Sequence, residues 1–305
     1  MAKTTIEWAT DVWNPTSGCT KVSEGCRNCY AERIAERFWK DRKFTDVRCH
    51  PERLDQPLHW RKPRRVFVDS MSDLFHEDVP FNFIDQVFMR MYMAEEHTFM
   101  ILTKRSQRMF DYMTRCTNGG FHTHEIIRIE SRMRFLMESK KFVWPLPNVW
   151  LGVSVENQAA ADERIPLLLK TPAAVRFVSC EPLLEEVDLT HDLDGYRGEE
   201  ESIANTINWV ICGGESGPDA RPMHPDWVRS LRDQCQDAGV PLFFKQWGEW
   251  GLPIINKLGG GVMMKMGKKA AGRLLDGQEW NEVPETTPPP APPYQRWRGG
   301  GKKER

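Results

Sequence analysis

The sequence predicts an α/β protein built around a partial (β/α) TIM-type barrel with mostly parallel strands and a C-terminal extension. Short apolar runs recur along the chain, and each is followed by a longer segment with the periodicity of a helix. This alternation is typical of βα units around a parallel sheet. The length of 305 residues also fits one barrel of ~250 residues plus a tail.

Seven runs are candidate strands, and the first of them, residues 5–8, has the weakest pattern. The other six are four- or five-residue runs that are mostly apolar, and each is bounded by more polar sequence. These six runs are residues 66–69, 99–102, 149–153, 175–179, 209–212 and 242–245.

Helical periodicity fills the gaps at residues 30–40, 81–95, 124–141, 158–170 and 225–238. Asn157 has the side chain of a helix cap, and Pro225 after His224 fits the first turn of the last helix. Gly239 suits the end of that helix, because glycine adopts the left-handed conformation found there. The polar, acidic segment 189–205 is expected to be a surface insertion.

The βα pattern stops after residue 251, which divides the chain into three predicted parts. Residues 1–255 form the barrel, with a cysteine-rich loop at residues 18–30, and residues 256–284 pack on it. Residues 285–305 are expected to be disordered, because the proline-rich run cannot form a helix interior and the Gly- and Lys-rich end has little to bury.

Composition limits the function classes. The formal net charge is −1 and 40% of the residues are hydrophobic, so no general electrostatic footprint for nucleic acid is present. The first residues carry no apolar signal core, and no stretch approaches the ~20 apolar residues of a membrane span. We therefore expect a cytoplasmic protein without membrane contact, whose eight cysteines are reduced.

Three cysteines form the most informative motif. Cys19, Cys26 and Cys29 follow the spacing CxxxxxxCxxC. A structural zinc normally has four protein ligands, whereas a four-iron cluster held by three thiolates keeps one iron open to a substrate or cofactor. The motif therefore predicts a [4Fe–4S] cluster on these three residues.

Polar residues follow nearly every predicted strand, at the ends that form the active site in α/β barrels. Lys104, Glu181 and Lys245 are the candidate catalytic residues. The candidate cofactor-binding residues are Tyr30, Asp69, Ser70, Asp73, Ser154, Glu156, Gly213, Gly214 and Glu215.

Structural explanations exist for several of these residues. Ser154 and Asp73 are residue types that cap helices. A Gly213-Gly214 pair after a strand also fits a tight turn. Lys104 and Glu181 could form ion pairs at the barrel mouth.

A resemblance extends across about residues 4–284. It is carried by the runs 13–19 (WNPTSGC), 29–32 (CYAE), 69–75 (DSMSDLF), 151–157 (LGVSVEN), 179–184 (SCEPLL), 213–217 (GGESG), 245–248 (KQWG) and 267–277 (GKKAAGRLLDG). In these runs the sequence resembles the phage-associated three-cysteine-motif proteins, a family similar to radical S-adenosylmethionine (SAM) enzymes. The resemblance implies a radical-SAM-like barrel with the cluster on Cys19, Cys26 and Cys29. The SAM amino group has two candidate sites, Glu215 and the loop 69–73.

The leading hypothesis is a radical SAM enzyme that takes an electron from a one-electron reductant and forms a 5′-deoxyadenosyl radical. Tyr30 would lie near the adenine of SAM. A modified DNA base or nucleotide is the predicted substrate class, with an isomerase-type or C–C bond step. Basic patches at residues 265–273 and 296–305 and the twelve tryptophans suit nucleic-acid contacts.

Two alternatives remain open. In the first, Cys49 or His50 completes a zinc site with the three cysteines, and the protein binds nucleic acid or a partner without catalysis. In the second, Glu156, Glu181 and Glu215 act as acid and base of a hydrolase, which leaves the cysteines unexplained.

Overall fold

A computed structural model describes residue 4 and residues 6–115, 143–193, 206–251 and 263–285. The strands are, in chain order, β1 (Asp11–Trp13), β2 (Thr16–Ser17), β3 (Arg48–Cys49), β4 (Arg65–Val68), β5 (Thr98–Thr103), β6 (Val149–Ser154), β7 (Val175–Cys180), β8 (Trp209–Gly213), β9 (Leu242–Gln246), β10 (Trp250–Gly251) and β11 (Met264–Lys265).

The α-helices are α1 (Tyr30–Phe38), α2 (Phe81–Met93), α3 (Ser106–Arg115), α4 (Gln158–Lys170), α5 (Thr190–Leu193), α6 (Pro225–Ala238) and α7 (Lys268–Ala271). Single 3₁₀ turns occur at Glu24–Cys26, Pro51–Arg53 and Gln56–His59. No helix in the described ranges is long and apolar enough to cross a membrane.

Seven strands form one parallel sheet in the order β1-β4-β5-β6-β7-β8-β9. The sheet curls into a half barrel, so the predicted fold class of a partial (β/α) barrel is confirmed. Two antiparallel pairs, β2 with β3 and β10 with β11, lie outside it.

Alternation along each strand separates two apolar layers. In β6, Val149, Leu151 and Val153 pack against the helices, whereas Trp150 lies with the residues of the concave face. The buried strand residues of the concave face are Phe67, Met100, Trp150, Phe177, Trp209, Ile211 and Phe243. These mostly aromatic side chains fill the base of the half barrel, and the space at the carboxyl ends of the strands lies next to them.

The structure confirms the six clear strand predictions within one residue at each end. The prediction of a strand at residues 5–8 was wrong, because Glu7 and Trp8 form a turn and the sheet begins at Asp11–Trp13. Trp8 has a different packing role from the one that a strand would give it. Its ring packs against Phe67 at 4.7 Å between centroids and so fills the concave face.

The helix predictions also hold where the chain is described. Asn157 caps α4 by accepting a hydrogen bond from the Ala160 amide at 2.9 Å, and Gly239 ends α6 in the left-handed conformation. The structure adds α3, which the sequence analysis did not identify. The predicted helix 124–141 lies outside the described residues. Most of the predicted insertion 189–205 does so too.

The described C-terminal residues lie along the outer strand β9. The Phe244 amide donates to the Trp280 carbonyl at 3.0 Å, and the Trp247 indole donates to the Leu274 carbonyl at 2.9 Å. Leu275 is buried in the outer apolar layer. The domain boundaries at 255 and 284 stay predictions, and residues 286–305 of the predicted tail lie outside the described residues.

Gly152 is the point in β6 where the concave face has no room for a side chain. A Cβ atom there would lie 2.5 Å from the Phe177 ring. We expect Gly152→Ala to destabilise the fold by ~1–3 kcal/mol, because the ring must leave its position. Denaturant unfolding measures this, and the double variant Gly152→Ala/Phe177→Leu should lose less stability than the two single changes added together. An unfolding midpoint unchanged in Gly152→Ala would contradict the packing described.

Candidate functional site

A cavity of about 390 Å³ opens at the carboxyl ends of the parallel strands, and we call it the main cavity. Its wall contains the inward positions that follow the aromatic layer, such as Asp69 after Phe67 and Lys245 after Phe243. Most of the predicted site residues line it together: Cys19, Cys26, Cys29, Tyr30, Asp69, Ser70, Asp73, Lys104, Ser154, Glu181, Gly214, Glu215 and Lys245.

The cysteine loop, residues 18–30, is fixed to the barrel by its backbone. The Gly18 amide donates to the Met71 carbonyl at 3.0 Å, and the Cys19 amide donates to the Phe44 carbonyl at 2.9 Å. Gly18 has a φ of 93°, and a Cβ there would lie 2.6 Å from the Asp46 carbonyl oxygen. Only glycine fits this position.

All three thiols of the loop reach the main cavity. Cys26 ends the 3₁₀ turn, and Cys29 directly precedes α1. Within the described residues, no three His, Cys, Asp or Glu side chains converge closely enough to hold a single metal ion. A four-iron cluster takes one thiolate on each of three irons, so its ligands need not converge on one atom. In number and type, the three thiols match the cysteine ligands that such a cluster takes from a protein.

Burial raises the pKa of two of these thiols, those of Cys19 and Cys29. Burial and the nearby Asp73 raise the pKa of Cys19 to about 12, against the opposing charge of Arg105. Burial also raises the pKa of Cys29. Because a metal binds the thiolate, loading of the site must release protons.

Arg105 joins the cysteine loop to the end of β5. Its guanidinium donates to the Cys19 thiol at 3.5 Å and to the Asp73 carboxylate at 3.1 Å. Asp73 also accepts from the Thr103 hydroxyl and the Lys104 amide, at 2.8 and 3.2 Å. Asp73, which was predicted to bind a cofactor, therefore holds Arg105 in place.

Glu156 does not line the main cavity, although it was predicted to bind a cofactor. Strand β6 ends at Ser154, and the Glu156 carboxylate lies 2.8 Å from Arg164 and 3.4 Å from Lys104. Burial alone would raise the pKa of Glu156, but the charges of Lys104 and Arg164 lower it to about 2. A Cβ on Gly25 would lie 2.9 Å from the Glu156 carboxyl carbon, so this buried anion packs directly against the cysteine loop.

Glu215 lines the main cavity with both carboxylate oxygens occupied. Arg221 lies 2.7 Å from one oxygen, and Asn28 of the cysteine loop donates to the other at 3.0 Å. Burial opposes ionisation, yet the hydrogen bonds from Arg221 and Asn28 lower the pKa of Glu215. Arg221 also pairs with Glu24 at 3.0 Å, so this network fastens the cysteine loop to the end of β8.

The two predicted glycines have packing reasons. A Cβ on Gly214 would lie 2.1 Å from the Trp247 carbonyl oxygen, and the Gly214 amide donates to the Gln246 carbonyl at 2.9 Å. Gly213 lies outside the main cavity, and a Cβ there would lie 2.8 Å from a Glu181 carboxylate oxygen. The pair lets two chain segments approach closely.

Lys245 and Glu181 form an ion pair in the cavity wall at 2.9 Å. Ser179, on the strand before Glu181, donates to the second carboxylate oxygen at 3.0 Å. Burial would lower the pKa of Lys245, but the Glu181 carboxylate outweighs it and raises this pKa. The wall therefore carries a fixed ammonium and carboxylate side by side.

Asp69 and Ser70 follow β4, near the edge of the sheet opposite to β9, which carries Lys245. Asp69 has a φ of 61° and accepts from the Thr16 amide at 3.0 Å. Burial raises the pKa of Asp69 to about 7, despite the lowering effect of the Thr16 hydrogen bond. The Tyr30 hydroxyl donates to the Ser70 carbonyl at 2.6 Å, so this ring spans from α1 to the end of β4.

The sequence analysis did not select several residues that line the cavity, among them Trp8, Arg105 and Gln246, and it placed Lys268 only within the basic patch 265–273. Arg105 directly follows the candidate Lys104, and Gln246 directly follows the candidate Lys245. Their position at the same strand ends was the sequence signal that could have identified them. Trp8 and Lys268 reach the cavity from outside the parallel strands, so no strand-end rule could have found them.

The two alternative functions find less support in the geometry. Cys49 does not line the main cavity, and His50 already contacts Ser17 at 2.6 Å and Glu52 at 3.0 Å through its two ring nitrogens. The carboxylates proposed for a hydrolase are each paired with a cation, as described above for Glu156, Glu181 and Glu215.

Fold and site together define an α/β protein with a parallel half barrel and a three-cysteine cavity at the carboxyl ends of its strands. The chain belongs to the family described as protein of unknown function (DUF5131), whose model matches residues 3–284. A comparison with curated proteins finds no match. Among solved structures, a cysteine-to-serine mutant of spore photoproduct lyase is similar, with a TM-score of 0.40 and 10% sequence identity over 86% of this chain and 70% of that chain.

Proposed function

We propose that this protein is a radical SAM enzyme with a [4Fe–4S] cluster on Cys19, Cys26 and Cys29. The observation that carries the proposal is that three thiols of one backbone-anchored loop line a single cavity at the active-site end of a parallel half barrel. Such a cluster, when bound with SAM and reduced by one electron, supplies a 5′-deoxyadenosyl radical.

The contacts favour one of the two candidate sites for the SAM amino group. Glu215 has both oxygens engaged by Arg221 and Asn28, so its binding capacity is largely used. We therefore assign SAM recognition to Asp69 and Ser70 in the loop 69–73, with Tyr30 beside the adenine. Ser154 lines the cavity between these groups and the β7 end, where it can contribute a hydroxyl.

The proposed substrate is a modified DNA base or nucleotide, and the proposed reaction is an isomerisation or a C–C bond step. Lys104 and the pair Lys245–Glu181 would hold and orient the polar groups of that substrate. Support comes from the phage-associated resemblance and from the basic residues near the cavity mouth, such as Lys268. A one-electron reductant of the host cell would complete the system.

The test is anaerobic purification with iron and sulfide analysis, followed by incubation with dithionite and SAM. We expect about four irons per chain and formation of 5′-deoxyadenosine. Stoichiometric zinc, or a cluster that never cleaves SAM, would contradict the proposal and favour a binding protein without catalysis.

A further inference from the structure

A second cavity of about 350 Å³ adjoins the main cavity, and we call it the side cavity. Both cavities are lined by Lys245, Gln246 and Lys268, so they meet along this wall. Lys269 and Arg273 line the side cavity only. Gln246 therefore lies between the two spaces.

The lining of the side cavity is predominantly cationic. It contains four cationic side chains and one carboxylate, Glu7, among the described residues. Lys245 is held by Glu181 at 2.9 Å, whereas Lys269 has no ion pair within the described ranges. Lys268 lies 3.2 Å from Glu7 in a partly exposed pair, which is a weak and adjustable contact. The Arg273 guanidinium donates to Asn281 and to the Phe244 carbonyl and lies 3.8 Å from Glu279, and its Nε is buried with no acceptor among the described residues. Such a lining favours an anionic group of the ligand.

Gln246 carries the second, independent observation. Its Nε2 donates to the Gly214 carbonyl at 2.9 Å, which fixes the orientation of the amide. The residue is 5% exposed, and within the described residues its Oε1 has no hydrogen-bond partner. A buried acceptor without a partner costs free energy unless a ligand supplies the donor.

Trp8 carries an unpaired hydrogen-bond donor. It is 1% exposed, it lines the main cavity, and its indole N–H has no acceptor among the described residues. A ring that carries both an N–H and a carbonyl, as a pyrimidine base does, has the two groups that would pair with the Gln246 acceptor and the Trp8 donor.

We propose that the side cavity binds a phosphate group of the substrate through Lys268, Lys269 and Arg273, and that Gln246 accepts a hydrogen bond from the attached base. The substrate class is then a nucleotide unit, either free or within a nucleic acid. This inference rests on the proposed function in placing the base beside the cysteine loop. The phosphate site itself depends only on the side cavity.

The test of this phosphate site is a measurement of probe binding to the whole chain in the absence of SAM and reductant. The probes are dTMP, deoxyribose 5-phosphate and a short thymidine oligonucleotide, measured by titration calorimetry at several salt concentrations. Lys269→Ala should weaken dTMP and oligonucleotide binding about tenfold, since a hydrogen bond to a charged group is lost. It should also reduce the salt slope for the oligonucleotide by about one. Lys170→Ala, an exposed lysine at the end of α4, is the matched control and should change neither quantity.

Gln246→Met provides a separate readout. It should remove the preference for dTMP over deoxyribose 5-phosphate while leaving the affinity for deoxyribose 5-phosphate unchanged. Tighter binding of the oligonucleotide than of dTMP would identify a nucleic acid as the source, and equal binding would identify a free nucleotide. Both results support the site.

The inference is overturned if no phosphate probe binds, or if Lys269→Ala binds every probe as the wild-type chain does. These outcomes are distinct from failure of the proposed function. Absence of 5′-deoxyadenosine with binding weakened by Lys269→Ala would refute the radical reaction and support the nucleotide site. SAM cleavage together with binding that Lys269→Ala does not change would support the radical reaction and refute the nucleotide site.

Discussion

Substitution of Cys26 by alanine is expected to abolish iron retention and SAM cleavage together. Cys26 lies between the other two thiols in the cysteine loop, and all three line the main cavity. With Cys26 absent, the loop offers two thiolates to a cluster that takes three from the protein. Iron content, visible absorbance and 5′-deoxyadenosine should all fall to background. A variant that still cleaves SAM would falsify the radical proposal.

Cys49→Ala is the matched control for this experiment. Cys49 is also partly buried and lies close to the loop through the pairing of β3 with β2, yet it does not line the main cavity. We expect it to retain iron and SAM cleavage. If Cys49→Ala instead loses stoichiometric zinc, the three cysteines belong to a four-ligand structural site.

Alternation of apolar and polar residues made most of the half barrel predictable. Six strands were located because each is a compact apolar run followed by a helical segment, and these runs lie side by side in chain order. The first strand was misplaced because Asp11-Val-Trp13 is short and polar at its start, whereas the apolar Trp8 packs inside the half barrel from a turn.

The candidate site was predictable to the extent that strand ends identify it. Cys19, Lys104 and Lys245 do meet in one cavity. The partners of these residues could not be read from the sequence, because they depend on how the chain turns after each strand. Lys104 directly follows β5 and lines the cavity, whereas Glu156, two residues after the end of β6, does not line it and is buried against Arg164.

Arg164→Met is expected to destabilise the fold by about 3 kcal/mol. The side chains of Arg164 and Glu156 are 3% and 1% exposed and lie 2.8 Å apart, so removal of the guanidinium leaves a buried carboxylate. Breaking a buried pair in this way costs roughly 3–5 kcal/mol, and the contact to Lys104 that remains at 3.4 Å places the effect near the lower limit. Chemical denaturation measures the loss.

The double variant Arg164→Met/Glu156→Gln separates charge from packing. If the unpaired charge causes the loss, removing it should restore part of the stability, and the two changes should not be additive. The pH dependence gives a second check. The pKa of Glu156 is lowered from 4.5 to about 2, so its ionised form stabilises the folded state above pH 4.5 and this contribution is lost as the pH falls towards 2. The stability difference between the wild-type chain and Glu156→Gln should shrink over that interval. A difference that stays constant would mean that Glu156 acts through its shape against Gly25, and the cysteine loop would then be supported by packing rather than by a buried charge.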